Sequence, residues 1–364
     1  MKWIFLCLIV VSTAFGDFSQ MLSLTKNPPP KTTSPAPEAV SPEEALDANL
    51  FRPNDQVSET HVEFLYWKTF TTDLIFAQVM TEPSWADIGS IQVGAMGNYK
   101  TSQFNIDPGF RISQSFFRAS RFWEVWGSYT RLTARGKNNT SASSSANNFL
   151  VSAWPLPLMN ALKHAKSTLH FNYNVSDFYV DRYFNPNPHL RIRMLAGLTG
   201  TWLTLNWTMK FFDITNQTAR IRSTWDYWGC GIRFGMTGDW YWSNDIYLTI
   251  RGTLAGLVGP YHNRILQTEN VSSPGVNNTR PFRKTSYRDT RPVGNLQLLI
   301  GPSWQKNWAS TRTELFVGYE FNVWTNLQEV YHSTVGAPNT PIETWINSGS
   351  LGLQGVTARF TIDY

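Results

Sequence analysis

Past residue 60 the chain alternates apolar and polar residues with a period of two. Leu169, Phe171, Tyr173 and Val175 alternate with His170, Asn172, Asn174 and Ser176. Ile246, Leu248 and Ile250 alternate with Tyr247, Thr249 and Arg251. Leu315 to Val323 and Val356 to Tyr364 repeat the pattern. Successive side chains of a strand point to opposite faces, so each run has an apolar side and a polar side. Twelve such runs occur, at 61–70, 72–80, 90–97, 108–118, 122–134, 167–178, 189–203, 221–238, 246–258, 292–303, 311–324 and 350–364. They predict an all-β protein.

Period two alone does not separate a soluble sandwich, with apolar sides facing a core, from a membrane barrel, with apolar sides facing lipid. Four features favour the barrel. The runs are long, about 10–15 residues against a soluble mode of about 5–6, and suit tilted spans of about 9–11 residues. Short links near 118–122, 181–188, 239–245 and 304–310 alternate with long ones near 135–166, 259–291 and 325–348, as periplasmic turns alternate with external loops. The short links carry aromatics suited to a membrane interface: Trp123, Trp240, Trp242, Trp304 and Trp308. The chain ends on Tyr364, on the apolar side of its last run, like a C-terminal strand read by the outer-membrane barrel assembly machinery. The expectation is a transmembrane antiparallel β-barrel of about 12 strands (range 12–16). An even count puts both ends on the periplasmic side.

Composition adds the compartment. Lys2, the apolar run Trp3–Val11 and Ala14-Phe15-Gly16 read as a signal peptide over 1–16. Residues 17–60 read as a Pro-rich, acidic, disordered linker, leaving 61–364 as the barrel. With Lys2 and the −4 of residues 17–60 removed, the whole-chain +5 becomes +8 for 61–364. Cys230 stands alone once the signal's Cys7 is cleaved, so no intrachain disulfide forms.

Several stretches resemble a known family. His61-Val-Glu-Phe-Leu-Tyr-Trp-Lys68, Asp107-Pro-Gly-Phe-Arg-Ile112, Tyr173–Arg182, Leu195–Trp202, Tyr227–Arg233, Asp239–Trp242, Ile246–Gly252, Leu315–Glu320 and Asn326–Glu329 are similar, in that order, to the major-outer-membrane-protein-like porins of environmental chlamydiae. Outer-membrane proteins of Legionella belong to the same family. The resemblance covers nearly all of 61–364. It implies a general diffusion porin of the outer membrane. The chlamydial members are cysteine-rich and cross-linked; the lone Cys230 departs from that pattern.

A pore needs a polar lining, and costly charges at membrane depth should face water inside. The alternation puts Arg111, Arg191, Arg193, Arg233, Arg251, Arg312 and Arg359 on the lumen side, with Glu314, Glu320 and Asp363. Excess arginine predicts a mild anion preference; pairing with lumen carboxylates, which would only stiffen the wall, is an equal reading. Part of loop 135–166, with a short helix around 158–164, either folds into the lumen or packs on the rim. Gly229–Gly235 lacks the Lys-Ser/Thr of a phosphate loop and reads as glycine relieving crowding in the wall. No His/Cys metal spacing or nucleophile elbow occurs, so no enzyme, metal or cofactor is expected. The arginines are dispersed, which argues against nucleic acid. The expected partners are outer-membrane lipid and the assembly machinery, and a homotrimer is compatible. The expected function is passive diffusion of small hydrophilic solutes. The alternatives are a surface structural or adhesive barrel closed by its loops, and a secreted carbohydrate-active β-protein.

Overall fold

Period-two runs become strands when every backbone N–H and C=O finds a neighbour. A computed structural model describes residues 56–80, 97–118, 122–142, 149–154, 156, 162–215, 217–273, 276–308, 311–333 and 344–364. The expected signal peptide and most of the linker lie outside these residues.

Among the described residues thirteen antiparallel strands form one sheet. Ten of them close a ring: β1 (Gln56–Thr71), β4 (Ile106–Arg118), β5 (Trp123–Ser141), β7 (Leu162–Asn187), β8 (Leu190–Asp213), β9 (Thr218–Tyr241), β10 (Ile246–Ser273), β11 (Val276–Asn307), β12 (Arg312–Ser333) and β13 (Thr344–Asp363). β1 pairs with both β4 and β13, which removes the free edge. Ser58 and Tyr364 exchange both backbone hydrogen bonds, at 2.9 and 3.0 Å, so the chain's last residue seals the seam. Three short strands, β2 (Ile75–Met80), β3 (Gly97–Thr101) and β6 (Phe149–Ser152), pair among themselves and touch the ring at Leu150–Leu162. The expected run 72–80 thus falls outside the ring, and the expected run 90–97 lies, but for Gly97, outside the described residues.

The strand ends that flank the short connections, Arg118 with Trp123, Asn187 with Leu190, Tyr241 with Ile246 and Asn307 with Arg312, lie at one end with Ser58 and Tyr364, here called the turn end. Phe122 takes a left-handed φ of 54° there. The opposite, loop end is taller than the sequence runs suggested. The expected long loop 259–291 is strand: β10 and β11 stay paired from Ile246–Trp304 to Ser273–Val276. The uncertain stretch 204–220 completes the β8–β9 ladder up to Phe212–Thr218.

Strands β7 to β11 have 26, 24, 24, 28 and 32 residues, whereas a tilted strand crosses the bilayer core in about 9–11. Each therefore leaves the membrane, and its polarity inverts where it does. In the turn-end half the outward side is apolar: Ile232, Phe234 and Met236 on β9, Ile250, Leu254 and Val258 on β10, Leu296, Leu298 and Ile300 on β11. Beyond it the outward side turns polar, with Thr224, Arg222 and Arg220 on β9, and the apolar residues Tyr227, Trp225 and Ile221 turn inward and are buried. Water now lies outside the wall, so apolar burial selects the inside. This corrects the lipid-facing reading of one run: Leu169, Phe171, Tyr173 and Val175 face the interior, and only from Phe178 does the apolar side of β7 face out. A Cβ on Gly231 would overlap the backbone of Gly256 and Leu257, the crowding that its glycine relieves.

Candidate functional site

The interior is the candidate site, and it has two layers. At the membrane level the ten residues expected on the lumen side, Asp363 included, lie on the inner face. Arg111 holds Glu63 at 2.5 Å and Glu320 at 2.8 Å, and its Nε donates to Thr130 Oγ1 at 2.9 Å. Glu320 also accepts from Thr357 at 2.9 Å and from Gln297. Arg233 meets Asp177 at 3.0 Å and donates to Gln297 and Thr253 at 2.8 and 2.9 Å. Arg359 pairs with Glu314 at 2.7 Å, Arg193 with Asp239 at 3.1 Å, and Arg312 with Asp363. Arg251 donates to Tyr179 Oη across the bore at 2.7 Å, and Arg191 stacks over Tyr241 at 5.3 Å.

The sequence reading missed half of this lattice. Glu59, Glu63, Glu124, Asp177, Asp181 and Asp239 face the same interior and bring its carboxylates, with Glu314, Glu320 and Asp363, to nine against seven arginines. Strand parity was the available signal. Glu59 and Glu63 alternate with the outward Val62, Phe64 and Tyr66, and Asp177 and Asp181 share the inward parity of Tyr179 on β7. Within this lattice each arginine paired with a carboxylate is largely desolvated together with its partner. Such pairs hold when each remaining donor is also satisfied.

Side-chain accessibility shows how full the bore is. Glu124, Glu320 and Arg233 are only 0, 1 and 2% exposed, whereas groups lining a wide water channel would be open to it. One void among Tyr179, Asp181, Arg193, Arg251 and Arg359 measures ≈ 10 Å³, room for about one water molecule.

Toward the loop end the inner layer is apolar. Rings meet across the bore, Trp67 with Tyr173 at 6.5 Å, Tyr173 with Trp324 at 6.0 Å and Phe171 with Trp225 at 6.1 Å, and Trp225 meets Tyr261 of the neighbouring strand at 5.9 Å. Their polar tips are tethered, Trp67 Nε1 to Thr357 at 3.1 Å and Trp207 Nε1 to Ser167 at 2.8 Å. Two connecting segments pack into this core. Phe104 edges Phe171 at 6.4 Å, and Trp154, from within loop 135–166, edges Trp207 at 5.7 Å. That loop enters the interior as β6 and the Ala153–Trp154 bend. The expected helix is strand from Leu162 onward, and the Asn/Ser-rich 143–148 and residues 157–161 lie outside the described residues.

A third element crosses the mouth. β11 and β12 stay paired only up to Gly294–Thr325. At that point Asn326 adopts φ 58° and the β12–β13 register slips between Trp324 and Gln328. Asparagine tolerates this left-handed backbone better than most residues, and its side chain donates to Pro292 O at 2.8 Å. The bend sends β12 inward. Leu327 is fully buried, Gln328 accepts from Trp225 of β9 at 2.8 Å, and the Glu329 carbonyl accepts from Asn263 of β10 at 3.2 Å. Arg291 fastens it, 2.7 Å from Glu329 and 2.8 Å from Asp289, with its guanidinium 3.6 Å over Tyr261. Burial pushes the Glu329 carboxyl above its ordinary value, and Arg291 pulls it partly back.

The interface aromatics sit at the turn end, with Trp240, Trp242, Trp304, Trp308 and Tyr364 exposed and Trp123 half-buried. Among the described residues no group of His, Cys, Asp and Glu is arranged to hold a metal.

A family model described as the Legionella pneumophila major outer membrane protein precursor matches residues 54–363. No curated protein matches the sequence. Among solved structures, the outer membrane protease OmpT from Escherichia coli is 9% identical, covering 85% of this chain and 97% of its own, with TM-score 0.43. The Pseudomonas putida toluene transporter TodX is 10% identical over 88% and 93%, with TM-score 0.29. A Pseudomonas aeruginosa FadL homologue is 9% identical over 85% and 90%, with TM-score 0.23.

Proposed function

The chain belongs to the Legionella pneumophila major outer membrane protein family and is a protein of the outer membrane; from that premise we propose that it forms a narrow passage for small hydrophilic solutes, shut at its outer mouth by its own β12–β13 hairpin. The observation that carries this reading is the hinge: a left-handed Asn326 at a register slip, followed by a strand fastened inside the ring by Gln328 and Glu329. A wall that served only as a scaffold needs no such bend. Below the hairpin the aromatic layer and the packed charged lattice must loosen as well before solutes pass, and the polar inner face of the membrane zone is the path that water then follows. The nine-to-seven balance of carboxylates and arginines supports weak charge selection, and the mild anion preference expected from the arginines alone loses its basis. We read the chain as a channel protein rather than an enzyme on its family, and kinship with the chlamydial proteins stays an inference from sequence resemblance.

The aromatic layer favours a second reading, a closed structural barrel at the cell surface. Planar-bilayer recording of the refolded protein separates the two. Brief, small current steps with a reversal potential near zero in a salt gradient are expected. Long-lived large steps would rule out the shut mouth, and stable insertion without current would establish the structural barrel.

A further inference from the structure

The outer wall of β8–β11 carries a basic patch that the interior chemistry does not use. Register brings Lys210, Arg220, Arg222, Arg264, Lys284 and Arg288 onto one outward face. Leu266 is flanked by Arg222 and Lys284, His262 by Asp226 and Arg288, and Arg220 by Lys210 and Thr268. Asp226 is the one carboxylate among the described outward residues of these strands above the apolar belt, and it takes Arg264 at 2.5 Å. Arg222, Arg264, Lys284 and Arg288 line a depression of ≈ 680 Å³. His262, within it, is held below its ordinary value by partial burial and then by Arg288 and Arg264, a sign of the positive field.

The position of the patch selects its ligand. Trp202 and Trp228 lie opposite each other on the outward face at the edge of the apolar belt. The first basic row, at Asp226 and His262, starts two residues beyond Trp228. Arg220 lies eight residues beyond it. At about 3.4 Å per residue and a tilt near 40°, the patch spans roughly 5–20 Å above the belt. A phospholipid headgroup zone is only about 5–8 Å deep per leaflet and reaches the lowest row. Phosphates carried on a saccharide core reach all of them.

We propose that this patch binds the phosphate groups of the phosphorylated glycolipid of the outer leaflet, through Arg222, Arg264, Lys284 and Arg288. Arginine forks and lysine ammonium groups match phosphate oxygens, while the adjacent Trp pair and apolar belt take the acyl region. The site rests on the outer-membrane placement and is independent of the passage reading, so loss of conductance leaves it untouched.

The test titrates the refolded full chain with micelles of a glycolipid phosphorylated on both its lipid anchor and its saccharide core, with the same glycolipid dephosphorylated, and with pyrophosphate. The phosphorylated glycolipid binds best, and the triple variant Arg222→Gln, Lys284→Gln, Arg288→Gln binds it at least tenfold more weakly. Lys284→Gln alone loses roughly fivefold, the effect of one cation at a lipid surface. A turn-end control, Arg118→Gln, Arg182→Gln, Lys306→Gln, removes the same charge and leaves binding unchanged. Heat-modifiable gel migration shows that each variant is folded. Equal loss in the control, equal binding of the dephosphorylated lipid, or displacement by pyrophosphate at lipid-like concentration would each overturn the proposal. So would heparin binding without any lipid preference, which would mark a polysaccharide surface instead.

Discussion

Arg291→Gln is the sharpest probe of the inward hairpin. The Arg291 and Glu329 side chains are 7 and 4% exposed, while Asp289, the second partner, is 26% exposed. Removing the guanidinium leaves the Glu329 carboxylate buried without its counter-charge and forfeits the contact with Tyr261 at 3.6 Å. Breaking a fully buried pair costs about 3–5 kcal/mol. This pair sits near the mouth and the glutamine still offers a donor, so the closed state loses about 2–3 kcal/mol. That is a shift of roughly 30- to 150-fold toward the open hairpin, at 1.4 kcal/mol per tenfold. Single-channel recording reads it as open time. Hydrogen exchange of the 327–333 amides reads the same equilibrium without current. The double variant Arg291→Gln, Glu329→Gln leaves no orphaned charge and should recover most of the closure. An Arg291→Gln protein with unchanged exchange, or a double variant as open as the single one, would refute the reasoning.

Three further outcomes follow from the same geometry. Because the Glu329 carboxyl is raised in the closed hairpin by burial, the closed state binds its proton more tightly than a solvated open state. Closure should therefore strengthen as pH falls from neutral toward the ordinary glutamate value of about 4.3, and Glu329→Gln should abolish that dependence of open time. On β10, Leu254 is 62% exposed in the apolar belt, so Leu254→Arg should destabilise the barrel in lipid by about 2–4 kcal/mol while Thr268→Arg, beyond the belt, stays near neutral; equal effects in denaturant titration would contradict the belt placement. Trp207→Ala removes a buried ring that Trp154 packs on and should cost about 3–5 kcal/mol, with hydrogen exchange rising at the loop end and not in the Arg111–Glu320 lattice.

Much of the barrel was legible in the chain. Parity along β12 and β13 put Leu315, Val317, Phe360 and Ile362 outside and Arg312, Glu314, Glu320 and Arg359 inside, as they stand. Short links marked the turn end. The reading faltered at 259–291, where polar outward residues such as His262, Arg264 and Arg288 look like a loop. Here strand pairing continues above the membrane, so the polar side faces water rather than lumen. The candidate site was half visible for a related reason. Glu63 and Asp177 have the right parity, but choosing them as partners of Arg111 and Arg233 requires knowing which strands face each other across the ring.

The sequence by itself determined the strands, their alternation, the turn end and the family, because a period of two and the placement of aromatics are local properties. Tertiary structure alone decided which side of each alternation faces inward at a given height. An apolar side is driven away from water, and whether water lies inside or outside the wall depends on where the bilayer ends along a closed ring. It also decided the closure: Gln328 and Glu329 meet Trp225, Asn263 and Arg291 only because one bend at Asn326 sends β12 back across the bore.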